Sequence, residues 1–398
     1  MKIPVISAVI IILLGLMSGI YYMVGRSYEL TNTVVLSGPY QPPEQTQAFH
    51  QQLFIADMHA DTFTFVDSFM QRKDYAHLDY PRAQDGGLNL LTMAIATEVP
   101  LSMVKRSPEG VKRGTNLIQV GAIAGLEPIS NWSSNYARGL WVINNIKETV
   151  ANNPNELLLV THREDITELL MEHELEPNKR MGLLLAVEGG HLLEGNLDRL
   201  DHVYNLGVRM LSLTHAFDND YGGASEGVEQ YGLTETGKAL LERMTELGII
   251  IDIAHASPAL VNDLLIEAKN PIVYSHGGVQ GTCNINRNLP DNLLGKIQAN
   301  GGLIAIGLWD RVLCGNTLND VAATMRYIAD KIGTEHLALG SDFDGGVKTI
   351  TDSSGMPLLT EALLKNGFSK AEVRAIMGGN YANLLMKQLP AREPQLSE

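Results

Sequence analysis

The chain is poor in cysteine, with two residues, Cys283 and Cys314, among 398. No CxxC pair occurs, which excludes a zinc finger and a thioredoxin-like redox site. Two buried thiols or one disulfide remain open, and a disulfide persists only in an oxidising compartment. Basic charge is also short. Lys and Arg number 30 against 45 Asp and Glu, a formal net charge of −15. Nucleic-acid binding needs a basic face to neutralise phosphates, so no nucleic-acid partner is expected. The acidic residues are spread along the chain, which suits solubility and leaves some available to bind metal. No glycine-rich phosphate loop follows the first apolar run, so a doubly wound dinucleotide-binding sheet loses its main support. Between residues 51 and 389 there is no second linker, low-complexity stretch or short-period repeat. With 45% hydrophobic and 19% charged residues, the composition is that of a globular protein with a sizeable core.

One long uncharged run is present. Residues 3–24 follow Lys2 and are rich in Ile, Leu, Val and Met. A bilayer span needs about 20 such residues. A cleaved signal peptide has an apolar core of about 7–15 residues and an A-x-A-like site, and this run is longer with no clear site behind it. Lys2 and Arg26 flank it and orient it poorly by the positive-inside rule. Residues 1–25 are therefore expected to be an N-terminal transmembrane anchor, with the following domain outside the cytoplasm. Secretion after signal cleavage is the alternative. Residues 26–50, with Pro39, Pro42 and Pro43, read as a linker, residues 51–389 as one domain, and residues 390–398 as a loose tail.

Within that domain, short apolar runs alternate with helical patterns. The runs lie at 53–58, 88–96, 183–187, 208–214, 249–254, 271–275, 303–308 and 337–341, with a weaker ninth at 157–160. Helical stretches are expected at 134–151, 163–173, 197–205, 236–247, 258–268, 290–299, 318–332 and 369–388. Nearly continuous apolar strands alternating with helices indicate parallel strands covered on both faces. Eight such units make a (β/α)8 TIM-like barrel, with chemistry at the C-terminal strand ends. Segment 98–133 yields no pattern.

The polar residues fall at those ends. The first run ends in His59-Ala60-Asp61, and others end in Glu188, His215, His255, His276 and Asp342. A period of two on a strand points His59 and Asp61 to one face. Glu188 after an apolar run would be costly to bury unpaired, and a cation offsets that cost. A set of three imidazoles and two carboxylates drawn from these seven, with no thiolate, suits Zn²⁺. Five ligands exceed one open tetrahedral site and suit two ions bridged by a carboxylate.

The segments HADTF (59–63), VEGGH (187–191), LTH (213–215), DIAH (252–255), SH (275–276), NRN (286–288) and GSDFDGG (340–346) carry a resemblance. In order and spacing the set resembles the membrane (renal) dipeptidase family of zinc peptidases, from residue 53 to the C-terminal helix. The resemblance implies hydrolysis of the peptide bond of dipeptides by a hydroxide bridging two zinc ions. It implies that His59 and Asp61 bind one zinc, Glu188 bridges both, and His255 and His276 bind the second. His215 would stabilise the oxyanion, Arg287 would hold the substrate's C-terminal carboxylate, and Asp342 would sit near the bridging water and the substrate's amino end. A homodimer and tolerance of a D-residue on the C-terminal side also follow from the resemblance.

Elementary chemistry agrees. Two cations lower the pKa of a shared water, an imidazole can stabilise a developing oxyanion, and an arginine fork fits a carboxylate. Asp344 reads as a turn or supporting residue, and His191 as a neighbour of the site. His50, His77, His162, His173, His202 and His336 read as structural or solvated. The segment after His215 reads AFDND where many members carry asparagines, and Gly277 stands where serine is common; both bear on substrate preference. Two other readings compete. A two-metal amidohydrolase more often shows HxH and a lysine ligand. A non-catalytic membrane-tethered binder would have lost a ligand position, and none is missing.

Overall fold

Nine parallel strands carry the fold: β1 (Ile55–Ala60), β2 (Leu88–Ala96), β3 (Leu157–Val160), β4 (Met181–Glu188), β5 (Val208–Ser212), β6 (Ile250–Asp252), β7 (Val273–Tyr274), β8 (Leu303–Ile306) and β9 (Leu337–Leu339). In this computed structural model, β1 pairs with β2 and β9, and β2 also pairs with β4, so eight strands close into a (β/α)8 barrel. The structure describes residues 29–393 except 66, 67 and 178, with a few positions before residue 29. The anchor expected at residues 1–25 lies almost wholly outside the described residues, as does the tail from residue 394. Among the described residues no helix is long and apolar enough to cross a membrane.

The weak ninth run is a strand outside the barrel. Leu157–Val160 pairs with Met181–Leu184 of β4, whereas Leu185–Glu188 of the same strand pairs with β5. One edge of β4 thus serves two neighbours, one along each half.

The strands are apolar on both faces because both are covered. Along β4, Leu183, Leu185 and Val187 pack with the surrounding helices, and Leu184 and Ala186 pack in a second cluster with Met58, Met210, Ile250, Val273, Ala305 and Ala338. That second cluster fills the barrel. Tyr381 and Leu385 of the C-terminal helix join it, with the Tyr381 hydroxyl 2.7 Å from Thr92 Oγ1. Parity then places polar groups. Glu188 continues the inward set of Leu184 and Ala186, Asp252 continues Ile250, and Ser275 continues Val273.

Most expected helices form within a residue or two of their predicted ends, among them Asn135–Asn152, Arg163–Leu175, Glu235–Leu247 and Leu318–Ile332. The stretch 369–388 differs. It is Lys370–Arg374, a π-helical turn Ala375–Gly379, and Asn380–Gln388. The interruption sits where the chain presses on β1: a Cβ on Gly378 would lie 2.2 Å from the Phe54 carbonyl oxygen. Part of the expected linker is also folded. Glu44–His50 is a helix whose Phe49 and His50 are buried, and the His50 ring bonds Thr360 Oγ1 at 2.8 Å and the Gly86 carbonyl at 2.9 Å.

Cys283 and Cys314 are joined as a disulfide, with Cα atoms 5.3 Å apart. The bond ties the loop after β7 to the loop after β8, closing 31 residues of separation. Cross-linking a loop of that size removes unfolded-state entropy worth roughly 3–4 kcal/mol. Replacing both cysteines by serine is expected to lower the unfolding free energy by about that amount. Denaturant unfolding of the oxidised protein and the double variant checks this, and coincident midpoints would contradict it.

Candidate metal centre

The C-terminal mouth of the barrel gathers the polar strand ends around one carboxylate. Glu188 Oε1 lies 3.1 Å from His255 Nε2 and 3.6 Å from both His59 Nε2 and His276 Nε2. Its Oε2 lies 3.7 Å from His215 Nε2. His59 Nε2 is 3.4 Å from Asp61 Oδ2. Ligand-type atoms fall into three overlapping groups, each within 4.8 Å: His59, Glu188 and His276; Glu188, His215 and His255; and His59, Asp61 and Asp342. Every one of these side chains is buried.

Local backbone sets the directions. After Glu188 the chain turns at Gly189, whose φ of 98° favours glycine, and whose N–H donates to Ser212 Oγ at 2.9 Å. A Cβ at Gly189 would lie 2.3 Å from His191 Cε1 and 3.2 Å from His215 Cβ. His255 and Asp342 hold left-handed φ values of 64° and 62°. Such backbone costs of order 1 kcal/mol or more in a non-glycine residue and is concentrated at functional sites. The Asp342 N–H donates to the His59 carbonyl at 3.1 Å, fixing the end of β9 beside that of β1.

The electrostatics suit a cation. Burial, followed by the nearby Arg287 and His215 charges, pushes His255 well below the usual histidine range. Burial, then His59 and Arg287, does the same to His276. Both rings are therefore neutral, with lone pairs to offer. Burial opposes charge on His59, but the Glu188 and Asp61 carboxylates hold it up at about 10. Asp61 is raised by burial and then by Glu188, and Asp342 is raised well above the carboxylate range by burial and then by Asp61. These carboxylates repel one another without a counter-charge. His59 Nε2 and Asp61 Oδ1 are buried with no hydrogen-bond partner. Buried polar atoms are ordinarily paired. Orphaned ligand atoms, converging imidazoles and crowded carboxylates are a donor set that fits divalent metal, with no thiolate to favour a softer ion.

The sequence pattern of the membrane dipeptidase family, peptidase family M19, matches residues 43–397. The chain belongs to that family. Dipeptidase aclJ of Aspergillus oryzae is 35% identical over 216 residues, 52% of this chain and 51% of its own length. The chain thus spans about half the length of the curated relatives it matches. Among solved structures, the probable dipeptidase PvdM of Pseudomonas aeruginosa matches with TM-score 0.73 at 18% identity, covering 87% of this chain and 98% of its own. A Rhodobacter sphaeroides metallo peptidase liganded with a phosphinate mimic of the dipeptide L-Ala-D-Ala matches with TM-score 0.66 at 19% identity, covering 85% and 99%. At these identities the two structures show the shared barrel fold.

All seven residues at the strand ends meet in this M19 site, and Arg287 lies beside them. Its Nη1 donates to the Tyr274 hydroxyl at 2.9 Å, and its Nη2 donates to the His276 carbonyl at 3.1 Å and lies 3.4 Å from His255 Nε2. Asp344 supports the site from outside, accepting from Thr62 Oγ1 and the His77 N–H, each at 2.7 Å. His191 packs its ring 5.3 Å from Phe217 and joins none of the ligand groups. None of the six histidines set aside enters the cluster; His77, for example, accepts from the Asp344 N–H at 3.1 Å, and His336 bonds the Gly302 carbonyl at 2.8 Å. Three participants had no role assigned from sequence: Glu98, whose carbonyl faces His215 Nδ1 at 3.2 Å, and the buried pair Asp252 and Ser275. The latter two are visible in hindsight as inward polar residues closing apolar strands.

Proposed function

We propose that the chain is a zinc-dependent dipeptidase that uses two zinc ions. The observation that carries this reading is the convergence of three imidazole Nε2 atoms on Glu188 Oε1, within 3.1–3.6 Å, in a barrel of this family. His59 and Asp61 would hold one ion, His255 and His276 the other, and Glu188 both. Bound there, zinc would polarise the peptide carbonyl and lower the pKa of the attacking water.

The chain's own residues supply the rest. His215 Nδ1 faces a carbonyl, which only accepts, so that nitrogen carries a hydrogen. An imidazolium there would donate through Nε2 to the oxyanion that develops on the substrate. Once ionised, Asp342 can take a proton from the attacking water and pass it to the leaving amine. Arg287 clamps the substrate's terminal carboxylate through its planar fork. Fixing both ends limits the substrate to two residues. A mimic of L-Ala-D-Ala bound to the Rhodobacter sphaeroides metallo peptidase supports a small dipeptide, with a D-residue on the C-terminal side. The reading extends to a homodimer held outside the cytoplasm by residues 1–25.

Hydrolysis of a panel of L,L and L,D dipeptides and matched tripeptides, before and after chelation, tests it. Dipeptide turnover lost to chelator and restored by zinc is the expected result. A folded protein that holds zinc and cleaves no dipeptide would sink the assignment.

A further inference from the structure

Beneath the ligands lies a polar pair that none of the chemistry above uses. Asp252 ends β6 and Ser275 follows β7, both pointing into the barrel and both buried. Asp252 Oδ1 accepts from the N–H groups of Ala254 at 2.9 Å and Ser275 at 3.0 Å. Its Oδ2 accepts from Ser275 Oγ at 2.6 Å. Ser275 Oγ also lies 2.9 Å from His276 Nδ1 and 3.4 Å from His59 Nδ1.

A hydroxyl has one hydrogen and two lone pairs. A carboxylate only accepts, so the Ser275 hydrogen is committed to Asp252. Towards the two imidazoles Ser275 Oγ can then only accept. In its neutral form each ring then carries its hydrogen on Nδ1, which leaves Nε2 bare on the side that faces Glu188. The two rings lie with centroids 3.7 Å apart and belong to different halves of the ligand set.

We infer that Ser275, oriented by Asp252, is a positioning residue that sets the Nδ1–H tautomer of both His276 and His59. One hydroxyl thereby prepares a ligand for each of the two metal positions. The tautomer statement stands on the hydrogen bonds alone; its consequence for metal rests on the proposed zinc site. Outer groups that orient ligating histidines are typically worth roughly 10- to 100-fold in metal affinity.

Two variants separate positioning from packing. Ser275→Ala removes the acceptor. Asp252→Asn keeps the volume but places an amide donor against Ser275 Oγ, which frees the hydroxyl to donate to His276 Nδ1 and drives that ring's hydrogen to Nε2. Two readouts are taken on the folded full chain: ¹⁵N NMR of the neutral His276 ring in zinc-free protein, and zinc affinity by chelator competition. The expected result is Nδ1–H in the unsubstituted protein, Nε2–H in Asp252→Asn, and zinc affinity reduced roughly 10- to 100-fold in both variants. A merely structural Asp252 would not move the hydrogen between ring nitrogens. Unchanged tautomer with unchanged zinc affinity in Asp252→Asn overturns the inference. A tautomer that reverses in a protein with no zinc affinity supports the positioning role and overturns the proposed metal site instead.

Discussion

Glu188→Gln is expected to cut kcat/KM for a dipeptide by about 1000-fold or more while the protein stays folded. The substitution conserves volume, and the side chain is nearly enclosed at 5% exposure, so no cavity opens. What changes is charge. Glu188 is held below the usual carboxylate range; burial opposes this, and His215, His59 and Arg287 together prevail. An amide presents one neutral oxygen and an NH2 group to atoms that now share an anion. The Oε1 position is approached by three imidazole nitrogens, so one replacement disturbs every ligand group that contains Glu188. Outer residues cost roughly 10- to 100-fold in metal affinity when removed, and a shared ligand should cost more. Metal content by mass spectrometry, dipeptide turnover and circular dichroism are measured together. A variant that keeps both its metal and its turnover would remove Glu188 from the centre.

Much of this centre is legible in the sequence for a physical reason. Burial on both faces forces barrel strands to be apolar, so a charged residue at the end of such a run is conspicuous. His59, Glu188, His255, His276 and Asp342 all stand out for that reason. In the structure Glu188 continues the inward set of Leu184 and Ala186, whereas His59 and Asp61 follow a register shift in β1, where Ala56 and Met58 are the inward residues. The features that stayed hidden depend on partners far along the chain. Leu157–Val160 reads as a strand, but its place outside the barrel follows from which half of β4 it pairs with. The π-turn at Ala375–Gly379 follows from contact between Gly378 and the Phe54 carbonyl, which helical periodicity does not record. Segment 98–133 folds into pieces too short to show a period. Leu101–Val104 begins after Pro100, Leu117–Ala124 is capped by the Asn116 side chain, and Ile129–Trp132 begins after Pro128. Its Glu98 reaches the site through a backbone carbonyl, which no side-chain motif can reveal. Ser275 and Asp252 were hidden differently: their residue types are unremarkable, and only the distances between them expose the direction of the hydroxyl.

Arg287→Met should raise KM for a dipeptide by roughly 100-fold, with a smaller effect on kcat, if the guanidinium binds the substrate's carboxylate. The cation is 4% exposed and needs partners. Burial works against its charge, and the Tyr274 hydroxyl and the carboxylates of Glu226, Asp342 and Glu188 outweigh that. Its hydrogen bonds go to neutral acceptors, the Tyr274 hydroxyl and the His276 carbonyl, so no carboxylate among the described residues claims it directly. The Tyr274 and Trp309 rings, 5.7 Å and 6.0 Å from the guanidinium carbon, hold it between apolar walls. A substrate carboxylate arriving there would complete the fork at charge-assisted strength. Methionine keeps most of the side-chain length and removes the charge, which limits collapse of the pocket. Loss of activity alone would not identify the partner, because Arg287 also lies 3.4 Å from His255. A cycle over protein and substrate does. The free dipeptide should be favoured strongly over its C-terminal amide by the unsubstituted protein, and hardly at all by the variant, because the amide lacks the anion that Arg287 would recognise. Equal losses on acid and amide would place Arg287 with the ligands it touches and leave the substrate's carboxylate to another group.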